Sequence, residues 1–433
     1  IFFGVMNSSR RKTEKEPGRN SGLFFCVPAQ SPKGGRPSGH QSEPQRMSIS
    51  RVNTSPEKLT TTRAKRNAPA KGAGVADSFS AGERVDKLIS DIQSGKVKYA
   101  PEIAARIRPH ELTLSDFPCH KYIITAGQTD ELPTEIVAKG EKPRYRDSIT
   151  QKSKLTEKEN LKDLKARNAS IAEGMNELYA QHTESLMVLM EGDNAAGKDG
   201  MIKHVFTINP MTTNGQIAFK GASPEERQHD PNWRIMKNLA GPGQIMFHNR
   251  SHYGDVVFAA KTPEDKARRT AEIKELEYGI TMGLPMTAEG RIALPDKKGN
   301  VDPSAIQRPP MRFIKVLLGT SSEEQAVRLA DRLEDDAKLY KITQADLDGH
   351  PKHAEVQGGF AEAMAAGSTE YAPTYYLPND NKTTGWRKMA QITDEILQNM
   401  DPKPPGSKDG MTLETRQAAA KQLREEAEKR LRG

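Results

Sequence analysis

The 433 residues carry 65 Lys and Arg against 57 Asp and Glu, with 35% hydrophobic residues, 28% charged residues and two cysteines, Cys26 and Cys119. Such a length can bury a large core in up to about three domains. Two cysteines exclude a disulfide framework and a Cys-rich metal site, and no apolar run reaches the roughly eighteen residues a membrane-spanning helix needs.

Residues 1–80 hold 14 basic and 5 acidic side chains, leaving 51 and 52 for the rest, so the net charge of +8 belongs to an N-terminal arm. The arm is rich in Ser, Pro, Gly, Arg and Lys without periodicity and reads as disordered. Its apolar stretch Ser21 to Val27 is short and cut by Pro28, so it is not read as a secretory signal; a cytoplasmic chain is expected, with Met47 a candidate start. A solvated tail accounts for the basic charge, and nucleic acid is not expected as a partner.

Residues 81–144 form an approach segment in which Val85, Leu88, Ile89 and Ile92 recur at helical spacing and the chain becomes irregular from Pro101 to Tyr145. Thr156 and Glu159 make a capping box, and Leu161, Leu164, Ile171, Met175 and Leu178 then mark the inward face of a helix over Glu157 to Tyr179.

The apolar run Leu186 to Met190 is a buried strand, and it runs into Met190 to Gly200, MEGDNAAGKDG. Gly192, Gly197 and Lys198 have the GxxxxGK spacing at a strand-to-helix junction. Phosphate binding needs this arrangement: glycines let backbone N–H groups approach the oxygens, and the lysine opens a helix whose positive end faces the anion.

Further along, strands are expected near Gly215 to Phe219 and Gln244 to Phe247, with a helix near Trp233 to Leu239 between them. A charged helix follows over Pro263 to Ile280, then a surface excursion from Met282 to Pro310 and a central strand over Arg312 to Leu318. Ser322 to Asp335 restarts a helix with Val327, Ala330 and Leu333 inward and Arg328 and Arg332 one turn apart. Those two arginines either close over phosphate or pair with Glu324 and Asp331 on a solvated face. Leu413 to Arg432 reads as an exposed or partner-bound helix. Alternating strands and helices make the fold α/β, a parallel sheet covered on both sides.

Phe247 to Asp255, FHNRSHYGD, ends the third strand, where Arg250 is placed to grip phosphate oxygens. His248 and His252 lack further metal ligands nearby, and structural roles are expected for them.

The loop, FKGASPEERQHDPNWR (Phe219 to Arg234), HNRSHYGD (His248 to Asp255), SSEEQAVRLADRLEDD (Ser321 to Asp336) and STEYAPTYYLPNDNK (Ser368 to Lys382) come one after another in an order that resembles the P-loop polyphosphate kinase 2 family, from about Tyr145 to Leu397. The resemblance implies a P-loop kinase-like three-layer sandwich over 145–400 with a helical lid near 321–345; the arm, the Met282 to Pro310 excursion and the tail helix in 401–433 fall outside it. It also implies Mg²⁺-dependent phosphoryl transfer between inorganic polyphosphate and a nucleoside mono- or diphosphate (ADP, AMP or GDP), by a homo-oligomer.

By position, Gly192, Ala195, Ala196, Gly197 and Lys198 would hold nucleotide phosphates, and Arg250 would bridge donor and acceptor. Arg328 and Arg332 would belong to the lid. Lys203, Lys220 and Lys382 would add polyphosphate contacts, and Asp193, Asn194 and Asp199 would place metal or acceptor. Asn194 stands where the family has an aspartate, Gly254 where it has a glutamate, Tyr371 and Thr374 where it has tryptophans, and Ala222 where it has a proline. An amide oxygen is a poorer ligand than a carboxylate for a hard cation. A catalytically weakened P-loop module that binds nucleotide or polyphosphate, and an ATP-dependent small-molecule kinase, are therefore the competing expectations.

Overall fold

Strand after strand is apolar on both faces, which a sheet tolerates only when helices cover both of its sides. The computed structural model describes residues 80–128, 132, 135–137, 150–152, 155–407 and 409–432, so the arm expected over 1–80 lies outside the described residues except for Ser80, as does part of the approach segment. Among the described residues eight strands form: β1 (Ile123–Ile124), β2 (Glu135–Val137), β3 (Thr150–Lys152), β4 (Ser185–Glu191), β5 (Thr213–Ala218), β6 (Ile245–Asn249), β7 (Met311–Gly319) and β8 (Thr374–Pro378). β2 and β3 pair with each other, and the other six make one sheet in the order β1-β8-β7-β4-β6-β5. All its pairings are parallel except that of β1 with β8. The antiparallel β1 is a departure from the expected parallel sheet, and its two residues give no readable alternation.

β4 is buried throughout, and its side chains alternate between two cores. Leu186, Val188 and Met190 join Ile171, Met175 and Leu178 of the helix Glu157–Gln181 and Met389, Ile392 and Ile396 of the helix Lys382–Met400. Met187 and Leu189 join Ile273, Leu276 and Ile280 of the helix Pro263–Met282 and Phe360 and Met364 of the helix His353–Ala366. The result is an α/β three-layer sandwich. Its first long helix starts where expected, with the Thr156 hydroxyl accepting from the Glu159 amide and the Glu159 carboxylate accepting from the Thr156 amide. Leu161 of that helix is 45% exposed rather than inward.

The register gathers the strand ends. Met190 stands opposite Asn249, and Ala218 opposite Asn249 on its other side, so β4, β5 and β6 end together at one edge. Glu191 stands opposite Leu317, and Gly319 opposite Pro378, which brings the ends of β7 and β8 to the same edge. This is the carboxyl edge, where open α/β sheets place ligands.

Two expectations change. The segment after the helix Pro263–Met282 is not a surface excursion: Leu284, Met286, Ile292 and Ala293 are buried, Met286 bridges to Ile292 and Ile306, and Met286 packs directly on Gly279. Its turn residues are real, but the apolar residues between them fill the helix layer. The helix Ser322–Leu333 buries Glu324, Gln325, Arg328 and Leu329, while Leu333 is exposed. Polar residues occupy the inward face because the loop after β4 and the turn after β8 offer carbonyls that Gln325 and Arg328 bond.

One charged network is sealed in the core. Lys315 on β7 donates to Glu277 Oε2 at 2.6 Å, to the Tyr253 hydroxyl at 2.9 Å and to Gly367 O at 2.9 Å, and Glu277 Oε1 also meets His252 Nε2 at 3.1 Å and the Tyr253 hydroxyl at 3.1 Å. Lys315 and Glu277 are both fully buried, so neither charge has water as a substitute partner. Lys315→Met is therefore expected to lower unfolding stability by about 3–5 kcal/mol through the stranded Glu277 carboxylate. Urea titration at neutral pH checks this, and adding Glu277→Gln to the same chain is expected to recover part of the loss.

Candidate active site

The loop between β4 and the helix Lys198–Val205 needs its glycines for space. Gly192 has φ of 140°, and a Cβ there would lie 2.8 Å from Leu318 O; Gly197 has φ of 103°, and a Cβ there would lie 2.6 Å from Asn379 Nδ2. Ala195 also adopts a positive φ, 63°. These turns reverse the chain so that Lys198 starts the helix and its ammonium folds back, donating to Gly192 O at 2.7 Å and Asp193 O at 3.1 Å. The Ala196 amide closes the turn on Asp193 O.

Four side chains distant in sequence hold this loop from behind. Arg328 is buried; it pairs with Glu324 at 2.6 Å and donates to Ala195 O at 3.0 Å, Ala196 O at 3.1 Å and Asn379 O. Asn379 Nδ2 donates to Ala196 O at 2.5 Å, and Gln325 Nε2 to Asn194 O at 3.1 Å. His353 donates from Nδ1 to Asp193 Oδ2 at 2.8 Å and from Nε2 to Thr320 O at 2.9 Å. Both partners are acceptors, an arrangement that favours the doubly protonated ring. Burial opposes that charge, but Asp193 and the Thr320 carbonyl outweigh it and hold the His353 pKa above its usual value.

In this structure Arg328 gives its guanidinium to protein acceptors and supports the loop. Asp193 spends Oδ1 on the Asn194 amide and Oδ2 on His353, so it is turned to the protein side of the loop. Asp199 remains more than half exposed, 57%, with Asn249 Nδ2 on Oδ1 at 2.5 Å and Lys341 Nζ on Oδ2 at 2.9 Å. Arg332 donates to Lys341 O.

Arg250 comes to the loop as expected. Its φ is 71°, its amide donates to Met190 O at 2.9 Å, and its Nη2 donates to Asn194 Oδ1 at 3.1 Å, with the residue exposed. Lys220 and Lys382 are exposed just past the ends of β5 and β8, and Lys203 is exposed on the helix that Lys198 begins.

Sequence reasoning missed Glu191, Gln325, Lys341, His353 and Asn379. Glu191, Gln325 and Asn379 stand inside the motif stretches, but no local signal marks them as supports of the loop. Nothing in the spacing of Lys341 and His353 points to the loop at all.

The electrostatics are set by desolvation. Burial pushes the Glu191 carboxyl up to about 7, against the pull of Lys198, Ser251 and Arg250. Burial pulls the Lys198 ammonium down to about 8; Arg250 adds to that depression, and Glu191, Asp193 and Asp199 oppose it. Among the described residues no three His, Cys, Asp or Glu side chains converge as a metal cluster. A hard cation that keeps several waters and takes substrate phosphate oxygens needs only one or two protein oxygens, and Asp199 and Asn194 Oδ1, bonded here to Lys341, Asn249 and Arg250, are the oxygens at the loop that could serve.

The sequence matches the polyphosphate kinase 2 family over residues 153–283 and 304–405. The chain belongs to that family. The gap between the two matched stretches falls on the segment that fills the helix layer. Among similar proteins, the ADP-polyphosphate phosphotransferase of Rhodopseudomonas palustris is 25% identical over 224 residues, 52% of this chain and 74% of the relative. The AMP/ADP-polyphosphate phosphotransferase of Meiothermus ruber is 27% identical over 246 residues, 55% and 82% of the two chains. A crystal structure of polyphosphate kinase 2 from Arthrobacter aurescens shares the fold, with a TM-score of 0.54 and 22% identity over 71% of this chain and 99% of that one.

The departures from the family pattern have structural counterparts. Tyr371, partly buried, packs edge-on against Tyr278 with ring centroids 5.1 Å apart, and the buried Thr374 donates from Oγ1 to Met364 O. Gly254 has open space where a side chain would project, so a glutamate would fit there.

Two outcomes test this site. Gly197→Ala forces a Cβ against Asn379 at a positive φ and is expected to cost about 1–3 kcal/mol, read as a lower thermal midpoint. A bound polyanion favours the protonated forms of Glu191 and Lys198, which are being lost as pH rises through about 7 and about 8. Tripolyphosphate binding should therefore take up protons as pH rises from about 7 to about 9 and weaken across that window. Calorimetry in two buffers of different ionisation enthalpy measures the uptake.

Proposed function

We propose that this chain transfers a phosphoryl group between inorganic polyphosphate and a nucleoside mono- or diphosphate. The observation that carries the reading is the meeting of two strand ends at one loop: after β4, Lys198 bonds Gly192 O and Asp193 O, and from the end of β6 Arg250 bonds Asn194 Oδ1. Two cations reach one anion-binding loop from adjacent parallel strands, as in-line transfer requires. Membership of the family and the activities named for the two relatives support it.

In the transfer, a terminal phosphate oxygen of the acceptor bonds to the end phosphorus of the polyphosphate. The bridging P–O bond breaks, and the electron pair leaves on the shortened chain. Lys198 and the loop amides hold one set of oxygens, and Arg250 spans donor and acceptor. Asp199 and Asn194 would hold Mg²⁺, which supplies charge neutralisation on the phosphate oxygens. Lys341 pairs with Asp199 in this structure, so that carboxylate reaches a metal once the segment that carries Lys341 moves away. Lys203, Lys220, Lys382 and Arg332 serve as outer contacts for a long polyanion, and the stretch near 321–345 as the part that opens and closes.

The amide at Asn194 favours one further reading, a module that binds nucleotide or polyphosphate with little turnover. Incubation with polyphosphate, Mg²⁺ and ADP or AMP separates the two. The phosphotransferase forms a new nucleotide, and Lys198→Ala slows it about 100- to 1,000-fold. Asn194→Asp is expected to raise turnover about tenfold or more, because it restores a charged oxygen at the loop. No product above the Lys198→Ala control, with polyphosphate binding still dependent on Lys198, would leave the binding module. Product formed from ATP but not from polyphosphate would mean a small-molecule kinase.

A further inference from the structure

We propose that Glu191 is a positioning residue of this site and that its carboxylate sets the turn which aims Arg250. The kinetic part of this inference rests on the phosphotransferase reading; the geometric part does not.

Glu191 is the last residue of β4 and only 1% exposed. A carboxylate sealed from water is costly unless it is bonded, so its location needs a cause. Its Oε1 accepts from both donors of Ser251, the amide at 2.5 Å and the hydroxyl at 2.8 Å. The hydroxyl accepts in turn from the Tyr253 amide at 3.2 Å. Its Oε2 is buried with no hydrogen-bond partner, so the carboxylate's hydrogen bonding is directed to Ser251.

Residues 190 and 191 thereby hold two consecutive amides of the neighbouring segment. The Arg250 amide goes to the Met190 carbonyl, and the Ser251 amide goes to the Glu191 side chain. The backbone ladder between β4 and β6 runs out at Met190 and Asn249, and the carboxylate extends it by one residue. Between those two bonds lies the Arg250 Cα, at a φ of 71° that an arginine rarely adopts. A conformation of this kind persists only where its surroundings over-determine it. Here the clamp does so, and the turn it enforces carries the guanidinium to Asn194 Oδ1. Without the carboxylate, the turn is free to relax to an ordinary negative φ, and the arginine leaves the loop.

The test uses the full chain with Glu191→Ala, Glu191→Gln, Arg250→Ala and the Glu191→Ala/Arg250→Ala pair. Two readouts are taken, steady-state transfer from polyphosphate to ADP and the Arg250 Nε resonance in spectra of ¹⁵N-arginine-labelled protein, assigned by its loss in Arg250→Ala. Glu191→Ala is expected to lower kcat/KM by about 100-fold, the cost of misplacing a group that acts on the reacting phosphates. The double variant should be no slower than Arg250→Ala alone, and Glu191→Gln, which keeps an acceptor oxygen, should lose less than Glu191→Ala. The Arg250 resonance should move toward the value of a solvent-exposed arginine in Glu191→Ala. Losses that multiply in the double variant, or a resonance that stays in place, overturn the proposal. If the unaltered chain transfers nothing, the functional reading fails by itself, and the resonance alone decides the positioning claim. Should Glu191→Ala fail to fold, Ser251→Ala removes one of the two clamping donors, and the same coupling to Arg250 is then required of it.

Discussion

A loop that turns its amides toward a bound anion must turn carbonyls the other way, and those carbonyls need donors from the protein behind. Much of this structure answers that need. Gly192 O and Asp193 O take the Lys198 ammonium, Asn194 O takes Gln325, Ala195 O takes Arg328, and Ala196 O takes Arg328 and Asn379. The donors from outside the loop come from the helix after β7 and from the turn after β8, so two neighbouring strands and one helix are tied to the loop after β4. The buried Arg328 is tolerable because Glu324 balances its charge and its guanidinium finds acceptors on the loop and the turn after β8.

The second strand end is fixed in a different way. At β6 the chain must leave the sheet through an arginine with a positive φ, and the four residues after Asn249 are anchored one by one. Arg250 and Ser251 are held to the end of β4, while His252 and Tyr253 are held to Glu277, which Lys315 neutralises in the core. The sealed network behind the sheet and the exposed guanidinium in front of it are therefore parts of one arrangement. Rigidity at the back is what allows a long, flexible side chain to be placed at the front.

Much of this was legible in one dimension because it rests on local rules. The glycine spacing of the loop, the capping box at Thr156, the apolar run of β4 and the arginine after β6 each state their purpose within a few residues. Inward faces were harder to read where the core is polar. In the helix Ser322–Leu333 an apolar stripe pointed to Leu333 as an inward residue, whereas Glu324, Gln325 and Arg328 are buried. Hydrophobic periodicity misleads there because the burial is compensated by hydrogen bonds and charge pairing, not by apolar contact. The Met282 to Pro310 segment failed for the opposite reason: its Gly and Pro turns were read correctly, but short apolar residues between turns do not reveal what they pack against.

The sequence by itself determined the α/β class and the place of the glycine loop after β4, since strand apolarity and glycine positions are local properties. Only the tertiary structure decided which charged side chains are taken up by protein partners. Arg328 and Asp193 bond protein partners 133 and 160 residues away, at Ala195 and His353, while Arg250 is exposed beside Asn194. Whether a side chain binds a ligand or the protein depends on the acceptors and donors that the fold brings within about 3 Å of it, and no spacing along the chain contains that distance.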